Sequence, residues 1–440
     1  DGIRDHCVTG VQTCALPICR FDPSRRDLAV SVNGQARIVS DEATGGKAGG
    51  LLQFRSRILD QAFNQVGRVA LGIGSRINEQ HALGVDLDGD LGGLLFNDIN
   101  GGLAPTLRAR PAGDNDPAST GVVTVNIDDV SALSASSYQL DVLAGGGWRL
   151  FRNLDKSVVA SGSSLTQSLV SVDGFTLNLN LPTGNFVPGD SYLIEPTRTG
   201  AQDIATNITR PEDLALAQPV KAVAASGNLG QGKVSVGDVF DTSLPLFTTS
   251  PRQLAPPLLV RFSDANTYDV LDNSDPSNPV DLVPPVTGLS FTPGVTNTLF
   301  STNPADPDYF GFQLGISGNP VAGDAFAIGY NAAGKSDNRN AVALGKLQIA
   351  DILANGTATF QSAYGQLVGF VGSETRQARI DSDAGKALVT QTKAARDAVS
   401  GVNLDEEATD LVRYQQAYNA TAQVIAVSRS LIDTLLKATG

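Results

Sequence analysis

The residues whose types suit chemistry are few and poorly spaced for it. His6, Cys7, Cys14 and Cys19 all fall within the first nineteen positions. One imidazole and three thiolates form a donor set that zinc accepts. The spacing is Cys-x6-Cys-x4-Cys, without the tight Cys-x2-Cys pair of a zinc knuckle, so no metal is assigned there. Asp86, Asp88 and Asp90 flank Gly89 in a Gly-rich stretch that hints at a calcium loop. An EF-hand needs Gly at its sixth position and Glu at its twelfth, and Leu91 and Asn97 stand there, so a solvated turn is expected. Asp405, Glu406 and Glu407 resemble an acid–base cluster, yet in the first turn of a helix such residues complement the dipole. His81 has no cysteine near it. Neither a phosphate-cradling G-x-x-x-x-G-K-[ST] loop nor a G-x-S-x-G elbow occurs. No catalytic residue, cofactor-binding residue, cofactor or metal ligand is assigned, and no enzyme is expected.

Composition narrows the class. Of 440 residues 41% are hydrophobic, enough for buried cores. Lys and Arg number 32 against 45 Asp and Glu, a net charge of -13. Such acidity opposes binding to a phosphate backbone, so nucleic acid is not an expected partner. No run approaches the ~18 apolar residues of a membrane span, so no membrane insertion is expected. Residues 1–19, DGIRDHCVTGVQTCALPIC, resemble the translation of a synthetic sequencing adapter and are set aside as non-native. Methionine is absent, even at position 1, so the chain is expected to be a fragment without its own N-terminal portion.

Periodicity divides the remainder. Ile58, Ala62, Val66, Val69, Ile73 and Ile77 recur in steps of three and four, predicting an amphipathic helix over 51–82. Gly67, Gly72 and Gly74 weaken that helix and mark points where another backbone can approach. From 105 to 330 the period becomes two. Val123/Val125/Ile127, Tyr138/Leu140/Val142, Phe175/Leu177/Leu179/Leu181, Leu258/Val260/Phe262 and Phe310/Phe312/Leu314/Ile316 predict half-buried antiparallel strands. Gly145-Gly146-Gly147 and Pro293-Gly294 supply turns between them. Gly184–Ile194 and Gly318–Ile328 share the frame G-N-x-V-x-G-D-small-aromatic-x-I, which predicts two related β domains. Tyr138-Gln139-Leu140 pairs with Tyr268-Asp269-Val270 in the same scheme. The shared Gly-Asp pair, Gly189-Asp190 and Gly323-Asp324, is read as turn chemistry rather than catalysis. Helical periodicity returns at about 337, with a long helix from Phe360 to Val399 stopped by Ser400-Gly401. Asn403 then caps a last helix, 404–438. The fold class is α+β multidomain, with a helical core from both chain ends and antiparallel β domains inserted between. Its parts are a first helical part 20–104, β domains 105–220 and 221–336, a helical return 337–402, and a C-terminal axial helix 403–440.

That last helix is the informative element. One stripe runs Leu404, Ala408, Leu411, Gln415, Tyr418, Ala422, Ile425, Arg429, Ile432 and Leu436. A second runs Tyr414, Ala417, Thr421, Val424, Ser428, Leu431 and Leu435. Two seams need partners on two sides, and each buried Leu or Ile contributes roughly 1.5–3 kcal/mol. Sister molecules are the expected partners. The assembly interface is therefore assigned to Leu404, Ala408, Leu411, Tyr414, Tyr418, Ala422, Val424, Ile425, Leu431, Ile432, Leu435 and Leu436.

Val402–Ala408 followed by Leu411-Val412-Arg413-Tyr414-Gln415-Gln416-Ala417-Tyr418 resembles the C-terminal signature of bacterial flagellar axial proteins. Within that group the chain is most similar to the hook-associated family at the junction of hook and filament. Gly49–Arg55, the Asn78-x-Gln80-His81-Ala82-x-Gly84-x-Asp86-Leu87 string and Asp337–Ala341 also resemble that family, as do Gly189–Tyr192 and Glu195–Arg198. The resemblance implies a tubular self-assembly of helical ends with β domains facing outward. It also implies neighbouring hook and junction proteins as partners and export through the flagellar secretion channel to an extracellular site. An export chaperone at the C-terminal helix belongs to the same implication. The alternatives are another axial protein of hook or rod, a secreted β-rich adhesin, or a cell-wall hydrolase, for which no catalytic carboxylate pair is present.

Overall fold

The computed structural model describes residues 21, 29–32, 35–38, 46–165, 169–179, 184–400 and 404–440. The adapter-like stretch with His6 and its cysteines, Leu181, the stop at Gly401 and the cap at Asn403 lie outside them. The chain falls into two compact units, one ending at Gly369 and one beginning at Phe370.

The first unit opens with a hairpin of β1 (Ala29–Val32) and β2 (Gln35–Ile38). A continuous helical run follows: α1 (Gly46–Gln53), a π-helical segment (Phe54–Leu59) and α2 (Asp60–Ala82). After the short helix α3 (Ala104–Leu107) come eight strands: β3 (Ala109–Pro111), β4 (Thr124–Ile127), β5 (Tyr138–Val142), β6 (Trp148–Arg152), β7 (Val158–Gly162), β8 (Leu169–Val172), β9 (Phe175–Asn178) and β10 (Ser191–Ile194). A connector carrying α4 (Gly200–Asp203) leads to eight more: β11 (Val220–Ala224), β12 (Lys233–Val239), β13 (Leu258–Phe262), β14 (Thr267–Asp272), β15 (Val280–Ser290), β16 (Asn297–Leu299), β17 (Phe312–Ser317) and β18 (Ala325–Tyr330), with α5 (Pro245–Thr248) after β12. Helix α6 (Arg339–Lys346) precedes α7 (Phe360–Ser400) and α8 (Leu404–Thr439). After the opening hairpin, helical runs thus flank the antiparallel sheets on both sides in the chain.

The two β modules have one topology. In the first, a sheet ordered β3-β10-β5-β6-β7 accompanies a sheet ordered β4-β9-β8. In the second, β11-β18-β13-β14-β15 accompanies β12-β17-β16. Strand for strand the orders coincide, so the repeat seen in sequence is a repeat of architecture. One detail of the sequence pairing is corrected. Tyr138 lies in β5, whose counterpart is β13, whereas Tyr268 lies in β14. Any half-buried strand that starts on an aromatic residue gives the same short string, so the likeness carried no register.

Both modules bury one strand face. In β5 Tyr138, Leu140 and Val142 are buried while Gln139 and Asp141 are half-exposed, and in β17 Phe312, Leu314 and Ile316 are buried between half-exposed residues. Phe262 meets Phe291 and Phe326 edge-on at 5.0 and 6.0 Å, a favourable aromatic arrangement. Each module also closes on itself, since its first and last strands pair: Ala109 opposite Ile194, and Val220 opposite Tyr330.

The Gly-Asp pairs serve this architecture. Asp190 and Asp324 are both buried. Asp190 accepts the backbone N–H of Val187 (2.8 Å) and of Asp116 (3.0 Å). Asp324 accepts those of Val321 (3.0 Å) and Leu229 (2.8 Å). A second clamp stands beside each. Asn115 exchanges two hydrogen bonds with the backbone of Ser191, and Asn228 does the same with Ala325.

Candidate assembly surface and the hub behind it

Helix α2 does not pack the way its apolar stripe predicts. Its buried residues include Asn64, Gly67, Leu71, Gly74, Asn78 and His81, spaced alternately by three and four. Ile58, Ala62, Val69, Ile73 and Ile77 are half-buried, and Val66 is exposed. The reason is geometric. At Gly67 a Cβ would stand 1.7 Å from the carbonyl oxygen of Thr197, and at Gly72 it would stand 2.6 Å from Leu353. Close backbone approach needs a small-residue face, so the glycines are the contact points. Larger apolar side chains are turned away.

The polar members of that face form a hub. Asn78 exchanges two hydrogen bonds with the backbone of Phe96, at 2.9 and 2.8 Å. The ring of His81 is fully buried; Nδ1 stands 2.7 Å from the Gly93 carbonyl, and Nε2 accepts the Ala215 N–H at 2.9 Å. Those partners fix the tautomer with its proton on Nδ1. Gln80 donates to Asn340, which donates in turn to the Ala215 carbonyl at 2.6 Å. Asp337 accepts from the Arg339 guanidinium and from Asn331. Burial alone would push its carboxyl up, but the hydrogen bonds and charge of Arg339 and the Gln218 N–H hold it below the ordinary range. The hub ties the helix exit, the inter-module connector and the return to α6 into one junction.

The acidic loop belongs to this junction. Asp86 is buried, and one carboxylate oxygen accepts the N–H groups of Asp88 and Asp90. Asp88 pairs with Arg210 at 2.7 Å, and Asp90 takes a two-point contact from Arg252. The loop spends its acids on itself and its neighbours. Among the described residues no group of three or more His, Cys, Asp or Glu could hold a metal ion. A cavity of about 190 Å³ lies between α2, α3 and α4, walled by Leu71, Gly74, Ile99, Leu107, Ile204 and Arg108. Burial pushes the Arg108 guanidinium down to about 10, against the pull of Asp203 and Asp98. The guanidinium donates to Asn100 and to the Ile99 and Val125 carbonyls, which anchors it as part of the wall.

The C-terminal helix α8 is the reverse case. Every one of its residues is exposed. Leu404, Leu411, Tyr418, Ile425, Ile432 and Leu436 of the first stripe are 52–79% exposed, and Ala408 and Ala422 are exposed with them. Tyr414, Val424, Leu431 and Leu435 of the second are 59–73% exposed. Thr421, inside that stripe, already donates its hydroxyl to the Ala417 carbonyl at 2.8 Å, so little hydrogen-bonding capacity opposes burial there. All twelve residues assigned from sequence therefore stand on one uncovered rod. Sequence reading missed further exposed apolar groups. Val412 and Val427 lie off both stripes, and Leu51, Phe54, Leu59 and Phe63 stand exposed on the first helical run. The steps between those four are irregular, which hid them from a 3.6-residue template. Among the described residues no helix is long and apolar enough to cross a membrane.

Helical runs on both sides of two antiparallel β modules, with an exposed last helix, define a multidomain α+β architecture. The model of the flagellar hook-associated protein FlgK helical domain matches residues 7–96, a span that begins within the stretch set aside above. The model of the flagellar basal body rod FlgEFG protein C-terminal region matches 397–438. Flagellar hook-associated protein 1 of Salmonella typhimurium is 26% identical over 97% of this chain, and that of Escherichia coli K12 is 24% identical over 97%. The chain spans 56% of the length of each. The solved flagellar hook junction protein FlgK from Burkholderia pseudomallei is 28% identical, with a TM-score of 0.70 over 89% of this chain and 70% of that one. The chain is thus similar to flagellar hook-associated protein 1 over nearly all of its own length, and to the solved hook junction protein in fold.

Proposed function

We propose that this chain is a structural component of the bacterial flagellum that joins hook to filament, acting outside the cell after export. The carrying observation is α8: a rod with two apolar stripes, all of it exposed, in a chain similar to flagellar hook-associated protein 1. A free helix of this kind is costly in water, because helical stability comes mostly from packing an apolar face. Neighbouring subunits in a tubular assembly are the natural cover for it. The twelve stripe residues are then the assembly interface, and the β modules, each closed on itself, face outward. Before assembly the same stripes invite aggregation, which gives a reason for an export chaperone at this helix. Neighbouring hook and junction proteins complete the set of partners. The activity is mechanical joining rather than catalysis.

The test is a double substitution, Leu411→Asp with Ile425→Asp, placed in the chromosomal gene. Filaments are expected to be lost from the hook, while the purified variant keeps the parent's melting transition for the first unit. Normal filament attachment by that strain would defeat the assembly role.

A further inference from the structure

We propose that Asn355-Gly356 is a site of spontaneous covalent modification, at which the Asn355 amide is lost through a succinimide and the turn that carries it loosens. The inference is independent of the assembly reading.

The chain holds three Asn-Gly pairs, beginning at Asn33, Asn100 and Asn355, and the first lies outside the described residues. The other two share one chemistry in opposite surroundings. Asn100 is locked. Its amide donates to the Ile127 carbonyl at 2.8 Å, and its side-chain oxygen accepts the Ile127 N–H at 2.9 Å and the Arg108 guanidinium at 3.0 Å. The Gly101 N–H is taken by the Asp98 carbonyl at 3.0 Å. No ring closes there until these bonds break, and breaking them strands their partners.

Asn355 and Gly356 are exposed. Among the described residues neither the Asn355 side chain nor the Gly356 N–H makes a hydrogen bond. The space beside Gly356 is open, since a Cβ there would meet nothing nearer than the Asp351 carbonyl oxygen at 3.7 Å. Ala354, Asn355 and Gly356 have φ of +53, +56 and +75°. That left-handed backbone suits Gly and is tolerated by Asn, but at Ala354 it is strained, which favours local opening of the turn.

The reaction needs only water. The Gly356 nitrogen gives its proton to solvent hydroxide and attacks Cγ of Asn355. The Cγ–Nδ2 bond breaks, and ammonia leaves with a proton taken from water. Water then opens the succinimide at either carbonyl. The products are aspartate and its iso form, in which the main chain runs through the side-chain carboxyl. Nothing is oxidised or reduced.

The turn stands where this matters. It joins Leu353 to Ala358, both buried and paired as an antiparallel bridge, just before α7 begins at Phe360. The Leu353 side chain lies against Gly72 of α2. The Asn355 N–H donates to the Ser131 carbonyl at 2.8 Å, which ties the turn to the first β module. The iso form adds a backbone carbon between the bridged residues and so disturbs both ties.

The test ages the purified full chain in warm, mildly alkaline buffer. Peptide maps by mass spectrometry read amide loss, and labelling with protein isoaspartyl methyltransferase reads the iso form. Asn355 is expected to convert at least about tenfold faster than Asn100, and in urea the two are expected to convert at similar rates, because the fold and not the dipeptide separates them. Hydrogen exchange over 350–363 is expected to quicken in the aged parent but not in aged Asn355→Gly, which keeps the left-handed backbone and has no amide to lose. No conversion at Asn355, equal conversion of the two sites in the folded chain, or a difference that persists in urea overturns the site. Conversion without quickened exchange overturns the loosening.

Discussion

Helices α2 and α8 use their residues in opposite ways. The buried face of α2 is made of Gly, Asn, His, one Ala and one Leu, and two of its polar members are bonded across the fold: Asn78 to Phe96, His81 to Gly93 and Ala215. The stripes of α8 are Leu, Ile, Val, Tyr and Ala, and all of them are exposed. Contacts within the chain are thus specified by close approach and hydrogen-bond matching. In the proposed assembly, contacts between chains rest on apolar area. The division makes physical sense. A small, polar face admits one partner in one register, because a mismatch strands a buried donor or acceptor. Apolar ridges tolerate small changes of angle, as the proposed tubular assembly requires.

The contrast can be broken most forcefully with one substitution made in two places. Gly67→Ala puts a methyl 1.7 Å from a carbonyl oxygen, and it is expected to destabilise the first unit by about 3 kcal/mol through overpacking. Gly385→Ala, on α7 with nothing within 4 Å, is expected to stabilise its helix by roughly 1 kcal/mol. Thermal melts followed at 222 nm read both signs. Equal effects at the two sites would erase the distinction between packed and open helices.

Next in size is the hub. Asn340→Leu strands the Ala215 carbonyl and the Gln80 amide, and a loss of about 1–3 kcal/mol is expected in urea titrations. Gln415→Leu, on an exposed stripe of α8, is expected to leave that midpoint unchanged.

The smallest effect concerns acid. Burial pushes the Asp324 carboxyl up, but the N–H groups of Val321, Gly230 and Leu229 outweigh it and hold it below its ordinary value. A depressed folded-state value contributes stability that is present above the unfolded carboxylate range, near 4, and lost as pH falls through the folded value. The stability gap between the parent and Asp324→Asn is therefore expected at neutral pH and should close below about pH 4. A gap that persists unchanged into acid would remove the charge from the clamp's account.

What the sequence exposed and what it hid follow the same line. Strands such as β5 and β17 were legible because antiparallel sheets with one buried face write their burial as alternation: Tyr138, Leu140, Val142; Phe312, Leu314, Ile316. The first turn of α8 was legible from Asp405, Glu406 and Glu407, acids that suit the positive end of a helix dipole. The packing face of α2 was not, because hydrophobicity is not what defines it. His81 meets Ala215 across 134 positions and Gln80 meets Asn340 across 260, distances no local pattern encodes. The paired Asn115 and Asn228 clamps escaped notice for a related reason, since one Asn before a distant strand has no periodicity.

The central claim is that the two stripes of α8 are uncovered in the free chain and covered on assembly. Hydrogen exchange over residues 404–440, compared between the isolated chain and the assembled hook–filament junction, measures it directly. Rapid exchange in the isolated chain and strong protection in the assembly is the expected result. Strong and equal protection in both states would mean that the chain already covers its own rod.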